Sequence, residues 1–416
     1  MRPGDTTWVL ISAALVLFMT PGLALFYGGM VRAKNVLNII MQNFITIALV
    51  SVLWVLLVFS LVFGKDIGHG LLGNLGMSGM SHLGSSLPGF HDLTVSPLVM
   101  GIFQMMFAVI TAALITGGTA ERIKFSSFVI LIVLWTVVVY APIAHWVFSP
   151  DGWLARRGVL DFAGGTVVEI NSGFSTLGIV LILGRRRGWP SEANAPHSIP
   201  LSLTGAGILW FGWFGFNAGS ALSANSVAIH AFLNTQVAAC TGLLGWLIVE
   251  RLTEHYATTV GAAAGAIAGM VAITPCAGFV GTMPSLLIGA VAGVVCAFAV
   301  RLKFKLGYDD ALDVLGVHGI GGVIGMVLLG VFATTSINSA GANGLASGGG
   351  FHLLSIQILA TLVTIGYSLG MSAALAKGVD LLMGLRITPD AESAGLDATV
   401  HAERAYSTGG SGGMRR

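Results

Sequence analysis

The feature that most constrains this chain is a succession of long apolar runs separated by short polar loops. A helix needs about 20 predominantly apolar residues to cross the hydrocarbon core of a bilayer, and eleven runs approach or exceed that length. Only 9% of the residues are charged, whereas a soluble domain averages about 25%. Because lipid cannot hydrogen-bond an open backbone, such runs must be helical. The sequence therefore predicts an all-α polytopic membrane protein.

We expect eleven transmembrane helices in residues 1–384, which form the transmembrane domain, and a cytoplasmic tail in residues 385–416. The predicted spans are Thr7–Met30, Asn38–Phe63, Pro97–Thr116, Phe125–Phe148, Gly164–Leu183, Ile199–Phe216, Val227–Val249, Thr258–Ile273, Gly281–Val300, Leu312–Phe332 and Leu353–Met383. No basic segment precedes the first run, so we expect a span there and not a signal peptide. The tail is polar, and it predicts a flexible extension with one short ordered piece near Asp390–Tyr406.

The distribution of Lys and Arg predicts the orientation. One set of loops carries eleven of these residues: Arg32, Lys34, Arg122, Lys124, Arg185, Arg186, Arg187, Arg251, Arg301, Lys303 and Lys305. The alternate loops, with the N-terminal segment, carry only four: Arg2, Lys65, Arg156 and Arg157. Cytoplasmic loops hold the excess of positive residues. The N-terminus is therefore predicted to lie outside and the C-terminus inside, in the cytoplasmic membrane.

Two glycine-rich segments place ionisable residues inside apolar runs. Asp161 lies eight residues before Glu169, and Asp310 lies eight residues before His318. In the predicted topology the first segment runs inward and the second outward, as in an inverted repeat. Substrate paths of such transporters lie near the midplane, between the repeats. We therefore predict two inverted halves of five spans each, with the eleventh helix as an addition.

A carboxylate at the centre of a span costs about 2.5–3.5 kcal/mol on insertion scales. Glu169 should therefore have a partner or a water-filled path, and a structural Glu tied to a neighbouring helix is the alternative. Carboxyl and imidazole groups are suited to passing a proton at moderate pH, so we expect Glu169 and His318 to line one pore. Asp161 should cap the free N–H groups of its helix, and Asp310 and Asp313 should support the second helix.

Other chemistries have no pattern in the sequence. A net charge of +2 gives no indication of nucleic-acid binding. The spacing of His69, His82, His91 and Asp92 fits no metal-ligand motif. The sequence has no phosphate loop, no nucleophile elbow and no His-Glu-x-x-His motif, so we expect neither a cofactor nor an enzyme.

Aromatic residues cluster at the predicted outer ends of the third and sixth spans. The two clusters are Phe103–Phe107 and Trp210–Ser220. Aromatic faces beside a hydroxyl form a modest cation site, worth about 0.5–2 kcal/mol per face. The alternative is an aromatic belt at the membrane interface, which requires no ligand.

Seven motifs resemble those of the Amt/Mep/Rh ammonium transporter family, and they follow the family's order over nearly the whole chain. They are Ala24-Leu-Phe26-Tyr27-Gly-Gly-Met-Val-Arg32-Ala-Lys34-Asn35-Val, Phe103-Gln-Met-Met-Phe107, Ala120-Glu121-Arg122, Asp161-Phe-Ala-Gly-Gly-Thr-Val-Val, Trp213-Phe-Gly-Phe-Asn-Ala-Gly-Ser220, Gly265-Ala-Ile-Ala-Gly269 with Ile273-Thr-Pro275, and Asp313-Val-Leu-Gly-Val-His318-Gly-Ile-Gly-Gly322. Together they are highly specific for this family.

The resemblance implies a homotrimer of eleven-helix subunits, each with its own narrow pore. By this likeness, Phe107, Phe148 and Ser220 would recruit ammonium, or its analogue methylammonium, at the outer mouth. Asp161 would support that site. Phe107 and Phe216 would stack as a gate.

The likeness also implies how the rest of the pore is lined. Glu169 and His318 would face the apolar lumen, and Phe26 and Tyr27 would lie towards its inner end. Ammonium would lose its proton near the gate, and the Glu169–His318 pair would relay that proton.

Two positions depart from the family pattern. Glu169 stands where most members have His, which resembles a subset of fungal members. Phe148 stands where Trp is usual, and Phe has the weaker cation–π face. We therefore expect the outer site to bind ammonium less tightly than in relatives with Trp.

The resemblance implies an ammonium transporter, with a sensor of the same fold that barely conducts as the first alternative. A membrane enzyme using Glu169 and His318 as acid and base, and a channel for CO2, are weaker alternatives. Likeness further implies a PII-type nitrogen regulator as a partner at the cytoplasmic face. Residues Asp390–Tyr406 resemble the regulatory tail of bacterial members.

Overall fold

The computed structural model describes residues 1–191 and 195–406; residues 192–194 and the tip of the tail, 407–416, lie outside this part. The apolar helices in it are α1 (Pro3–Met30), α2 (Ala33–Phe63), α3 (Pro97–Thr119), α4 (Phe125–Phe148), α5 (Gly165–Leu183), α6 (Ile199–Gly219), α7 (Ser226–Thr253), α8 (Thr259–Ile273), α9 (Thr282–Leu306), α10 (Leu315–Phe332) and α11 (His352–Met383). Ten are long and apolar enough to cross a membrane, and α8, with 15 residues, is shorter. The predicted all-α polytopic class is confirmed.

Several helices continue beyond the apolar runs that predicted them. α2 begins at Ala33, five residues before the predicted start. α7 continues to Thr253 and α9 to Leu306, past the predicted ends at Val249 and Val300. Hydropathy marks the hydrocarbon boundary, whereas a helix ends where its terminal backbone groups are capped. Apolar length therefore underestimates these helices.

Close glycine contacts join the two halves of the molecule. α1 packs along α6, and α5 packs across α10. A Cβ added at Gly205 of α6 would lie 2.2 Å from the backbone nitrogen of Phe26. One added at Gly173 of α5 would lie 2.4 Å from the Cα of Gly319 in α10. The first helix thus meets the sixth and the fifth meets the tenth, as expected of two related halves of five helices.

The helices α5 and α10 begin in the same way. Each opens with a π-helical turn, Gly165–Ile170 in α5 and Leu315–Gly319 in α10. The carboxylate of Asp161 accepts hydrogen bonds from the backbone nitrogens at positions 164, 165 and 166, at 2.8, 2.6 and 2.8 Å. The carboxylate of Asp310 accepts one from the nitrogen of Leu315 at 2.7 Å. Each helix is thus preceded by an Asp that accepts the backbone nitrogen five residues further on.

The connection between α2 and α3 folds back on the end of α4. It contains the short antiparallel strands β1 (Asp66–Ile67) and β2 (Leu72–Gly73). The buried His145 of α4 places Nδ1 2.7 Å from the carbonyl oxygen of Val62 and Nε2 3.3 Å from the carboxylate of Asp66. This histidine therefore ties the connection to α4, close to Phe148.

The short ordered piece that the sequence predicts near Asp390–Tyr406 lies within an ordered segment, residues 385–406. They form two further helices, α12 (Pro389–Ala394) and α13 (Leu396–Val400). Glu392 is buried and accepts a hydrogen bond from the backbone nitrogen of Arg187 at 2.7 Å. Asp397 is buried and accepts one from the backbone nitrogen of Asn38 at 2.9 Å. These polar groups therefore have fixed partners on the loop after α5 and on the first turns of α2.

Candidate functional site

Glu169 and His318 meet where α5 crosses α10. Nδ1 of His318 lies 2.7 Å from Oε2 of Glu169, and the residues are 6% and 1% exposed. A Cβ added at Gly322 would lie 2.9 Å from the Cβ of Glu169, so glycine is needed there for the close approach. A carboxyl and an imidazole at this distance form a coupled pair that can hold and share a proton.

A narrow cavity contains this pair, and we call it the lumen. Its volume is about 20 Å³, which is close to the space that one water-sized molecule requires. Apart from Glu169 and His318 its wall is apolar or aromatic, and it includes Leu114, Phe216 and Ile267. Because a bare ion is costly to transfer into such surroundings, the lumen favours a small neutral molecule over a cation.

A stack of phenylalanine rings borders the lumen. The rings of Phe107 and Phe216 lie with centroids 4.2 Å apart and an angle of 22° between their planes. Both side chains are buried. Phe103 packs against Phe107 at 4.9 Å, and Phe148 meets Phe107 edge-on at 6.5 Å. The structure therefore brings together the aromatic residues that the sequence assigned to a gate and to a recruitment site.

Ser220 lies one helical turn after Phe216, and its hydroxyl donates to the carbonyl oxygen of Phe216 at 2.8 Å. Phe148 lies beside the loop before α5, where a Cβ added at Gly164 would be 3.6 Å from its ring. Asp161 anchors that same loop, and its carboxylate also accepts the hydroxyl of Thr166 at 2.5 Å. Asp161 therefore holds the loop against which Phe148 lies.

A larger cavity adjoins the lumen, and we call it the vestibule. It has a volume of about 120 Å³. Phe26, Ile267 and His318 line both cavities, and Tyr27 lines the vestibule. Asp313 also lines it, with its carboxylate 2.6 Å from Nζ of Lys303. The lumen and the vestibule thus follow one another past the His318 ring.

A buried ionic cluster lies among the loops on the side of the tail. The carboxylate of Glu121 forms ion pairs with the guanidinium groups of Arg32 at 2.9 Å and Arg186 at 3.2 Å. Arg186 also forms an ion pair with Asp309 at 2.9 Å. Burial alone would raise the pKa of Glu121, but the two arginines outweigh it and hold that pKa below its ordinary value. Burial likewise tends to raise the pKa of Asp309. Arg186 and Arg122 outweigh burial there too, so the pKa of Asp309 is also lowered. These carboxylates therefore stay ionised at neutral pH.

The sequence reasoning missed two parts of this arrangement. The arginines of the ionic cluster entered the sequence analysis only through the excess of positive residues in one set of loops. Glu121 belongs to the Ala120-Glu121-Arg122 motif, but the sequence did not indicate its ion pairs. Glu250 was missed because it lies at the end of an apolar run, yet it lines the vestibule and is 8% exposed. A carboxylate so close to a predicted span was the available signal for it.

Multiple apolar helices, two of them capped by Asp and crossing beside a narrow apolar cavity, are typical of membrane transporters. A family model described as the Ammonium Transporter Family matches residues 7–406. The chain is 47% identical over 407 residues to an ammonium transporter of Bacillus subtilis, with 98% of this chain and 99% of the other covered. The chain belongs to this family, whose members are transporters and not enzymes.

Solved structures agree with the sequence comparison. The crystal structure of Saccharomyces cerevisiae Mep2 superposes with a TM-score of 0.85 at 32% identity, covering 93% of this chain and 91% of the other. A structure titled Sensor Amt Protein superposes with a TM-score of 0.86 at 29% identity, covering 95% and 98%. The fold is therefore shared with Mep2 and with a protein described as a sensor.

Proposed function

We propose that this protein takes up NH4+, or NH3 together with H+, across the cytoplasmic membrane. The observation that carries the proposal is the 2.7 Å contact between Glu169 and His318 inside a lumen that is otherwise apolar. Such a cavity excludes a bare ion but accommodates a molecule the size of ammonia. The pair supplies the one place along the lumen where a proton can be carried.

In this proposal the aromatic group acts first. Phe107, Phe148 and the hydroxyl of Ser220 recruit the cation, while Asp161 holds the loop against which Phe148 lies. The stacked rings of Phe107 and Phe216 then separate the cation from the lumen. Ammonium gives up its proton near these rings, the Glu169–His318 pair relays the proton, and ammonia passes to the vestibule at Phe26 and Tyr27.

We further propose that the N-terminus lies outside and the C-terminus inside, and that three subunits form a homotrimer. The excess of Lys and Arg in one set of loops supports this orientation. Residues 1–384 would then be the transmembrane domain and 385–416 the cytoplasmic tail. The family likeness supports the trimer, and it supports docking of a PII-type regulator on the face that bears the tail. A pull-down with and without ATP and 2-oxoglutarate tests that docking.

An ammonium pulse applied to proteoliposomes on a solid-supported membrane tests the proposed transport. A sustained current is expected if the proton crosses with ammonia, and methylammonium uptake without current is expected if it does not. A brief binding transient with neither current nor uptake would contradict transport. That outcome would favour an ammonium sensor, the second candidate, which the likeness to the sensor structure supports.

A further inference from the structure

A second buried histidine lies at the end of α4, outside the proposed transport path. His145 is 0% exposed, and both of its ring nitrogens face oxygen atoms. Nδ1 lies 2.7 Å from the carbonyl oxygen of Val62, and Nε2 lies 3.3 Å from Oδ1 of Asp66. Both oxygens are acceptors, and a neutral imidazole has one N–H to donate, whereas an imidazolium has two. Only the protonated ring can therefore donate to both partners at once.

The charge that faces this ring is in contact with water. Asp66, in β1, forms the ion pair with the ring, and its side chain is 15% exposed. Its other oxygen, Oδ2, lies 3.6 Å from Nη2 of Arg156, which is 47% exposed and also pairs with Asp151 at 3.3 Å. Exposed pairs of this kind are weak, so Arg156 neutralises Asp66 only in part. A proton can reach the ring from the water beside this carboxylate.

The other segments that pack against the end of α4 bring little charge towards the ring. Residues 59–63 of α2 and the strand β2 have no titratable side chain, and α4 itself has one other, Tyr140. In the turn after α4, Arg157 stacks over an indole ring at 5.4 Å. The first turn of α5 contains Glu169, whose carboxylate is already paired inside the lumen. Within the described residues, Asp66 is therefore the anion that pairs with the ring.

The connection between α2 and α3 also holds the end of α4 at a second point. The indole nitrogen of Trp146 donates to the carbonyl oxygen of Leu71 at 2.9 Å. A Cβ added at Gly152 would lie 2.1 Å from the carbonyl oxygen of His145, so the chain turns back directly over this residue. Phe148 lies within this turn, one helical turn after the histidine. A change at the imidazole is therefore passed to the backbone that carries Phe148.

We propose that His145 is a positioning residue for the recruitment site, and that its protonation from outside tightens the hold of the connection on Phe148. The proton comes from water and binds to the ring nitrogen that has no hydrogen, which completes the hydrogen bonds to Val62 and Asp66. The affinity for ammonium should therefore rise as the outside pH falls. This effect on affinity rests on the proposed role of Phe148 in recruitment, whereas the pH-dependent hold does not.

A fluorine label at position 148 tests the hold without requiring transport. With 4-fluorophenylalanine in place of Phe148, the fluorine NMR shift should change from about pH 5 to about pH 8, the range in which histidine commonly changes its charge. The change should disappear in His145→Gln and shrink in Asp66→Asn, which keeps the ring but removes its charged partner. It should persist in His91→Gln, the control, because His91 is an exposed histidine of the same connection. A shift that ignores pH in the wild type, or that changes equally in His145→Gln and Asp66→Asn, would overturn the proposal.

A transport measurement then tests the effect on recruitment. In the wild type the half-saturating concentration of NH4+ for the current should rise about 2–5-fold over the same increase in outside pH, the contribution of one aromatic face. In His145→Gln it should stay constant, while the maximal current keeps its own pH profile. His91→Gln should behave as the wild type. A pH-dependent fluorine shift without any wild-type current would refute transport but leave the positioning role intact. The same rise in His145→Gln as in the wild type would refute the control of affinity by this histidine.

Discussion

Replacing Glu169 is the most direct test of the proton relay. Glu169→Ala keeps the Cβ that faces Gly322, so the α5–α10 crossing should survive while the carboxylate is lost. The change leaves Nδ1 of His318 without its partner at 2.7 Å, which costs about 1–3 kcal/mol of stability. Removing a positioned acid–base group typically lowers a rate by about 10²–10⁴-fold. We therefore expect the ammonium current to fall by at least about 100-fold.

Two further substitutions separate proton transfer from hydrogen bonding. Glu169→Gln has almost the same shape and an acceptor oxygen, but it cannot take a proton, so its current should be as low as that of Glu169→Ala. Glu169→His can take a proton and should keep the flux with an altered pH profile. The assay is the peak current on solid-supported membranes over a pH series, with methylammonium uptake in parallel. Full current in Glu169→Gln would refute the relay and leave Glu169 with a structural role.

Three other changes test separate parts of the molecule. Phe148→Trp should lower the half-saturating ammonium concentration about 2–5-fold, because indole has the stronger cation–π face. A titration of the current with ammonium measures this, and no change would argue against a recruiting role for position 148. Gly173→Ala places a Cβ 2.4 Å from a backbone atom of α10. The melting temperature of this variant should fall, because its free energy of unfolding drops by about 1–3 kcal/mol. Gly366→Ala, where no atom lies within 4 Å of the added Cβ, is the control and should melt like the wild type. The lowered pKa of Glu121 means that its stabilisation is complete above pH 4.5, the ordinary value, and is lost as pH falls through the lower folded pKa. The melting temperature of the wild type should therefore fall more steeply below pH 4.5 than that of Glu121→Gln. Parallel curves of melting temperature against pH would show that the ion pairs contribute little.

The sequence predicted the helices well because hydropathy over a whole span is a strong signal. Two equally spaced Asp residues marked two related helices, and the structure places Glu169 and His318 of these helices 2.7 Å apart. That the pair lines a transport pore stays a prediction. The stacked rings of Phe107 and Phe216 came from family likeness, because periodicity alone could not distinguish a gate from an interfacial belt.

What the sequence did not predict depends on contacts between distant segments. An ordered piece near Asp390–Tyr406 was predicted, but not the partners that hold it, such as Arg187 and Asn38, which lie more than 200 positions away in the chain. Glu250 becomes notable only when α7 and α8 are placed around the vestibule. A polar residue at a helix end has many acceptable surroundings, and composition does not choose among them.

The glycine contact between α5 and α10 separates the scaffold of the pore from its chemistry. Because the backbones themselves touch near Gly173 and Gly319, the spacing of the two helices does not depend on the size of the titratable side chains that they carry. An exchange between imidazole and carboxyl at position 169 can therefore alter proton affinity while the width of the lumen stays the same. Under the proposed function, such a scaffold allows the working pH of transport to evolve independently of selectivity by size.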